Sequence, residues 1–216
     1  MYNVILHQYI KNRAKKKGIR ISYNEIENKL KQSNLLLPVR NCKVVFSLWK
    51  AGFAKSIEAT AIFPSYVICS YEWAVHLVIS DSEDTFNAFL ITLGHELAHK
   101  DGDFAVLFWE RKSKRYIHKE NRKFVNWVTE VHHDFAAQKM VNSSKEKLLA
   151  SMDFKIKLKP NNEDGPSHPS WKQRKTYAET GAFNKALIET IAIETGCTNE
   201  KLIYRVAEYY QDIILR

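Results

Sequence analysis

"LGHELAHKDG", residues 93–102, sets two histidines four positions apart with a glutamate directly after the first. On a helix, positions 95 and 99 stand one turn apart, so the imidazoles of His95 and His99 can reach one metal ion. Glu96 is rotated by about 100° from His95 and flanks such an ion without taking the same ligand direction. That suits a general base acting on water. Chance also produces the pattern, in roughly one chain in a hundred of this length. The rest of the chain has to decide between a metal site and a helix that carries two histidines.

A catalytic zinc needs a third protein ligand and one open position. A histidine six residues after His99 would complete the metzincin pattern, and Gly102 fits it, but position 105 is Ala105. "WVTEVHHDFAAQKM", residues 127–140, instead supplies Glu130, 31 residues after His99 (130 − 99). Asp134 lies one turn further on the same face, where it can accept the N–H of a ligand imidazole and fix its tautomer. Three histidines compete with Glu130. At about 100° per residue, His132 points nearly opposite to Glu130, whereas His133 is only about 60° away and is the stronger rival. His118 would give a histidine-only site similar to that of SprT-type proteases. Further on, "HPSWKQR", residues 168–174, sets His168 and Arg174 where a polar loop leads into a helix. A cation or N–H donor opposite the metal stabilises the oxyanion formed when water attacks a carbonyl. Tyr177 and Tyr116 are alternative donors.

His-Glu-x-x-His, then Glu-x-x-x-Asp, then His-Pro-x-x-x-x-Arg, in that order, resembles the gluzincin metallopeptidases. The pattern is similar to the CAAX-prenyl endopeptidase and HtpX-type protease family over about residues 85 to 190. The resemblance implies a zincin-like fold with an active-site helix under a sheet whose edge strand binds extended substrate. It implies His95, His99 and Glu130 as ligands of one zinc per chain, Glu96 as base and Asp134 as orienter. His168 would be the transition-state donor, with Arg174 near it. The family's membrane helices have no counterpart here. The expected activity is that of a zinc-dependent endopeptidase on peptide or protein substrates. The alternatives are a regulatory protease acting on a repressor or DNA-associated protein, of SprT-like or anti-repressor type, and a latent zinc-stabilised binding protein.

The composition fits an ordinary globular chain: 216 residues, 45% hydrophobic and 26% charged, with seven glycines and five prolines. Cys42, Cys69 and Cys197 are dispersed and odd in number, which argues against a disulfide framework or thiolate zinc site and fits a reducing compartment. No run approaches 18 apolar residues and the N-terminal apolar run is too short for a signal peptide, so a cytoplasmic location without a membrane span is expected. The net charge of +9 gathers in residues 11–20 and 111–123, which can meet nucleic acid but read first as solvated faces.

The pattern predicts an α+β domain over residues 1–216. It divides into a helical segment over 1–42, a catalytic core over 43–193 and a C-terminal helix over 194–216. Helices are expected over 2–16 and from a capping box at Ser22 and Glu25, with Ile26 and Leu30 on one face. "KVVFSLW", "IEATAIF", "SYVICS" and "AVHLVIS", broken by Gly52 and Pro64, read as strands of a small antiparallel sheet. "AVHLVIS" would be the substrate-binding edge, with His76 a structural residue on it. The motif helix carries Phe86, Phe89, Leu90, Leu93 and Leu97 on its apolar face and stops near Gly102. Gly94 implies close packing against another element, with the sheet as candidate. A helix over 121–141 buries Phe124, Val128, Val131 and Phe135. "KEKLLASM" reads as a short helix, "FKIKLK" as an exposed strand, and helices follow over 171–193 and 199–214. The five tryptophans read as core.

Overall fold

The computed structural model describes residues 4–35, 43–47, 59–62, 66–80, 82–101 and 118–214. Cys42, Trp49, Gly52, Pro64, Gly102, Trp109, Tyr116 and most of the basic run 111–123 lie outside them. The described residues form a three-stranded sheet and nine α-helices, an α+β arrangement.

Helices α1 (Val4–Lys16) and α2 (Tyr23–Leu35) form where expected. The predicted capping box closes in both directions: Ser22 N–H donates to Glu25 Oε2 at 2.7 Å, and Glu25 N–H donates to Ser22 Oγ at 3.2 Å. Leu6, Ile10, Ile26 and Leu30 turn inward on the next helix. Strands β1 (Lys43–Ser47), β2 (Ala59–Ile62) and β3 (Tyr66–Ser70) follow. The sheet is mixed rather than antiparallel. β3 lies in the middle, parallel to β1 and antiparallel to β2, with Val45 opposite Ile68 and Thr60 also opposite Ile68.

The fourth apolar run is a helix. α3 (Tyr71–Ile79) absorbs "AVHLVIS", and His76 packs edge-on against Phe154 at 5.6 Å. Tyr71, Trp73, Ala74, Val75, Leu77 and Val78 are all buried, on every side of the helix. A short apolar segment buried all round carries neither a period of two nor one of 3.6, so its β-branched content misleads. The edge strand beside the motif helix is therefore β2, not residues 74–80. Glu72, also buried, ties α1 to this layer by accepting from the Tyr9 hydroxyl and, at 3.1 Å, from Arg13.

Helix α4 (Glu83–Asp101) carries the two motif histidines, and α5 (Arg122–Met140) follows a single 3₁₀ turn at Lys119–Asn121. The predicted stripe of Phe124, Val128, Val131 and Phe135 is buried. α6 (Lys145–Leu158) is longer than expected and includes "FKIKLK". Ser144 caps it by accepting from Lys147 N–H at 3.3 Å, and the helix so started runs through the alternating lysines. Its buried residues are Leu148, Ser151, Met152 and Lys155, a helical spacing that overrides the apparent period of two. The predicted helix over 171–193 is two, α7 (Trp171–Glu179) and α8 (Lys185–Thr195). The break holds Gly181 at φ +80°, a conformation most side chains resist, and Asn184 caps α8 by accepting from Leu187 N–H at 3.0 Å. α9 (Glu200–Ile214) closes the C-terminal core by packing Val206, Ala207 and Tyr210 with α5 and α8.

Gly94 does meet a close neighbour, but that neighbour is α5 and not the sheet. A Cβ there would stand 3.1 Å from Val141 Cγ1 and 3.2 Å from the Cα and Cβ of Ala137. The α4–α5 crossing is tight because neither Gly94 nor Ala137 carries a bulky side chain. Gly94→Val should lower unfolding free energy in urea by about 2 kcal/mol, from overpacking against helix backbone. Gly94→Ala should change it by less, since its clash is offset by about 1 kcal/mol of helix propensity. Equal stability of the valine variant and the wild type would mean that the helices do not approach this closely.

Candidate metal centre

The tight crossing brings the motif face of α4 against the polar face of α5. His95 Nε2 stands 3.3 Å from His99 Nε2 and 3.2 Å from Glu130 Oε2, and His99 Nε2 is 3.7 Å from Glu130 Oε1. Two ligand atoms at about 2.0–2.1 Å from a tetrahedral zinc are separated by about 3.3 Å, so these spacings fit one ion. His133 also belongs to the cluster. Its ring lies 3.9 Å from that of His99, centroid to centroid, and ring nitrogens of His95, His99 and His133 all fall within 4.8 Å of one another. This group can hold a metal ion.

Behind the cluster, Asp134 and Arg174 form a buried ion pair. Arg174 Nε donates to Asp134 Oδ2 at 2.7 Å, and its Nη2 donates to Oδ1. His95 Nδ1 lies 3.1 Å from the same Oδ1, the arrangement that fixes the proton on Nδ1 and leaves Nε2 facing the cluster. Arg174 Nη2 is also 3.1 Å from His95 Nδ1, but a nitrogen that donates to Asp134 has no lone pair for it. Arg174 is 4% exposed, and its Nη1 lies 3.6 Å from Glu130 Oε2. Its charge therefore serves two carboxylates that belong to the cluster.

The loop before α7 is pinned at several points. Trp127 Nε1 on α5 donates to the Gly165 carbonyl at 2.8 Å, and Gly165 N–H donates to the His168 carbonyl at 2.9 Å. Asp164 accepts from Ser170 N–H at 2.7 Å, and Asn162 from Trp171 N–H at 2.8 Å. These bonds fix the start of α7, and with it Arg174 one turn in. His168 remains at the rim, its side chain 62% exposed, with Nε2 3.4 Å from Glu130 Oε1.

Charges follow from this packing. Burial and the Arg174 charge oppose a proton on His95, but hydrogen bonds to Asp134 and Glu130 outweigh them and lift its pKa to about 9. Burial would raise the Glu130 carboxyl, yet the His95 hydrogen bond and the His95 and Arg174 charges hold it well below the usual range. Asp134 is likewise held low against its burial by Arg174 and His95. Burial, then the His95 charge, press His133 down to about 3, so it stays neutral.

A cleft of about 500 Å³ opens on the cluster, lined by His95, Glu96, His99, Glu130, His168 and Arg174 among others. The ligand, base and donor residues expected from the three motifs thus gather here, with Asp134 just behind. Three of the alternatives lie elsewhere. His132 packs on Phe183 and Tyr210, away from the cluster, and His118 is exposed outside it. The Tyr177 hydroxyl is hydrogen-bonded to Glu194 instead of facing the cleft. Of the described tryptophans, Trp127 and Trp73 are core, with Trp73 also bordering the cleft, whereas Trp171 is half-buried and lines it. Lys155 and β2's Ala59 also line it and were missed. Lys155 had a signal: once 145–158 is a helix, it shares a face with Leu148 and Met152.

No family model, no curated protein and no solved structure matches the chain. No helix among the described residues is long and apolar enough to cross a membrane.

Because the metal-free cluster holds a proton on His95 up to about pH 9, a metal ion must displace that proton to bind Nε2. Apparent metal affinity should therefore fall about tenfold per pH unit as pH drops below about 9, until other groups titrate. Calorimetry in buffers of differing ionisation enthalpy should register about one proton released per ion at neutral pH. A flat affinity between pH 7 and 9 would contradict the His95–Asp134–Glu130 arrangement.

Proposed function

We propose that the chain is a zinc-dependent endopeptidase with a zincin-like catalytic core, similar to the HtpX-type gluzincins. The observation that carries this reading is the convergence of His95 Nε2, His99 Nε2 and Glu130 at 3.2–3.7 Å, with Asp134 on the far nitrogen of His95. Two imidazoles and a carboxylate are the donor set of a catalytic zinc, and a carboxylate behind a ligand histidine is its usual support. Zinc bound there supplies the Lewis acidity that makes water nucleophilic at neutral pH and polarises a carbonyl.

The chain's own residues do the rest. Glu96, at the cleft wall, takes a proton from the attacking water on its carboxylate and returns it to the amide nitrogen that leaves. His168 Nε2, at the rim, donates to the carbonyl oxygen as charge develops on it. Asp134 keeps the His95 proton on Nδ1. Arg174, paired with Asp134 and Glu130, is a positioning residue rather than a catalytic one.

The position of His133 favours a second reading. Structural zinc sites are closed by four protein ligands, whereas catalytic sites keep one position open. If His133 joins His95, His99 and Glu130, the site is closed and the protein is a zinc-stabilised binding module.

Zinc content and peptide hydrolysis of four proteins separate the readings. The wild type should hold one zinc per chain, Glu130→Ala should lose it, and His133→Ala should keep it and remain active. Glu96→Gln should keep zinc while hydrolysis falls by at least about 100-fold. Zinc lost in His133→Ala, from a wild type with no turnover, would establish the closed site. Undiminished hydrolysis by Glu96→Gln would sink the mechanism.

A further inference from the structure

Lys155 is 3% exposed, yet it lines the cleft. Its Nζ sits 4.4 Å from the centroid of the Trp171 ring, which also carries the Arg174 guanidinium at 4.1 Å. Among the described residues, no carboxylate stands within ion-pair distance of that ammonium and no acceptor hydrogen-bonds it. A buried charge without a partner is costly, and cation–π contact with one indole compensates only in part. Of the carboxylates around the cleft, Glu96 acts on this ammonium through its charge, while Asp134 and Glu130 are engaged with other partners. Asp134 is held by Arg174 and His95, and Glu130 by His95, His168 and Arg174.

We propose that Lys155, on its Trp171 platform, is a carboxylate-binding subsite of the cleft, so that the substrates are peptides presenting a carboxylate beside the scissile bond. This rests on the peptidase reading. Lys159, Glu96 and Glu130 are among the described residues that line the same cleft. Lysine, a compact charge with three donors on a flexible stem, suits a carboxylate that arrives at varied angles. Burial and the Arg174 charge press the Lys155 ammonium down to about 7, against the pull of Asp134 and Glu96. A carboxylate on Nζ would relieve that cost. The Trp171 ring beside it supplies an apolar wall for the methylenes of the carboxylate-bearing residue.

The carboxylate can come from an acidic side chain or from a free C-terminus, and four probes distinguish them. These are fluorescein-labelled peptide pools with degenerate flanks, carrying a central Glu or Gln and ending in an acid or an amide. Their anisotropy is titrated against zinc-loaded Glu96→Gln protein, alone and combined with Lys155→Met or the milder Lys155→Gln, with zinc content and circular dichroism as folding checks. Hydrolysis of the same pools by the wild type is followed in parallel. One carboxylate arm should bind about tenfold or more tighter than its amide counterpart, and that ratio should collapse without Lys155. A stronger central-Glu arm assigns an acidic side chain, and a stronger free-acid arm assigns the C-terminus. Equal binding of acid and amide in both arms overturns the proposal, as does a preference that survives in Lys155→Met and Lys155→Gln. Hydrolysis without carboxylate preference would sink the subsite and spare the peptidase reading. Lys155-dependent binding with no hydrolysis by the wild type would do the reverse.

Discussion

Everything in the centre depends on how closely α4 and α5 approach. Gly94 and Ala137 meet with no room for a Cβ on the glycine, and that contact sets the interaxial spacing. One residue on from Gly94, His95 then reaches Glu130 and Asp134 on the facing helix without any backbone irregularity. A wider crossing would leave the imidazole of His95 too far from Asp134 to hold its tautomer. The apparent fault of a glycine in the middle of a long helix is thus the condition for the side-chain geometry beside it.

The second constraint is electrostatic. Two carboxylates and an imidazolium packed together carry a net negative charge that burial makes expensive, and Arg174 neutralises it from behind. Removing one partner of such a buried set costs more than the set contributes, because the remaining charges are stranded. For that reason the loop before α7 is pinned by so many backbone and side-chain bonds. It has to deliver one guanidinium to one place. The same loop leaves His168 at the rim, so a single segment joins the support of the cluster to its mouth.

His133 and Lys155 give the site its particular character. His133 is neutral and buried against His99, so the cluster offers more donors than an open zinc site uses. Lys155 gives the cleft a cation beside its apolar wall. Both lie on faces already occupied by better-known residue types: His133 follows Glu130 on the same helix, and Lys155 hides among alternating lysines that look like a solvated edge.

The sequence by itself determined the chemistry-bearing pattern. His95, Glu96 and His99 share a turn, Glu130 and Asp134 share another, and Ser22 with Glu25 closes a helix start, all because i, i+3 and i, i+4 spacing is a local property of the helix. It also determined most helices, whose apolar stripes have a period that survives any tertiary context. Tertiary structure decided what periodicity cannot encode. Residues 71–79 form a helix whose burial on all sides left no period to mark it as one, and residues 154–158 continue a helix that Ser144 starts. The sheet became mixed because strand direction depends on how the chain returns, not on which residues form the strands. Whether Gly94 faces the sheet or α5, and whether a lysine faces water or a cleft, depends on long-range packing. No local spacing carries that information.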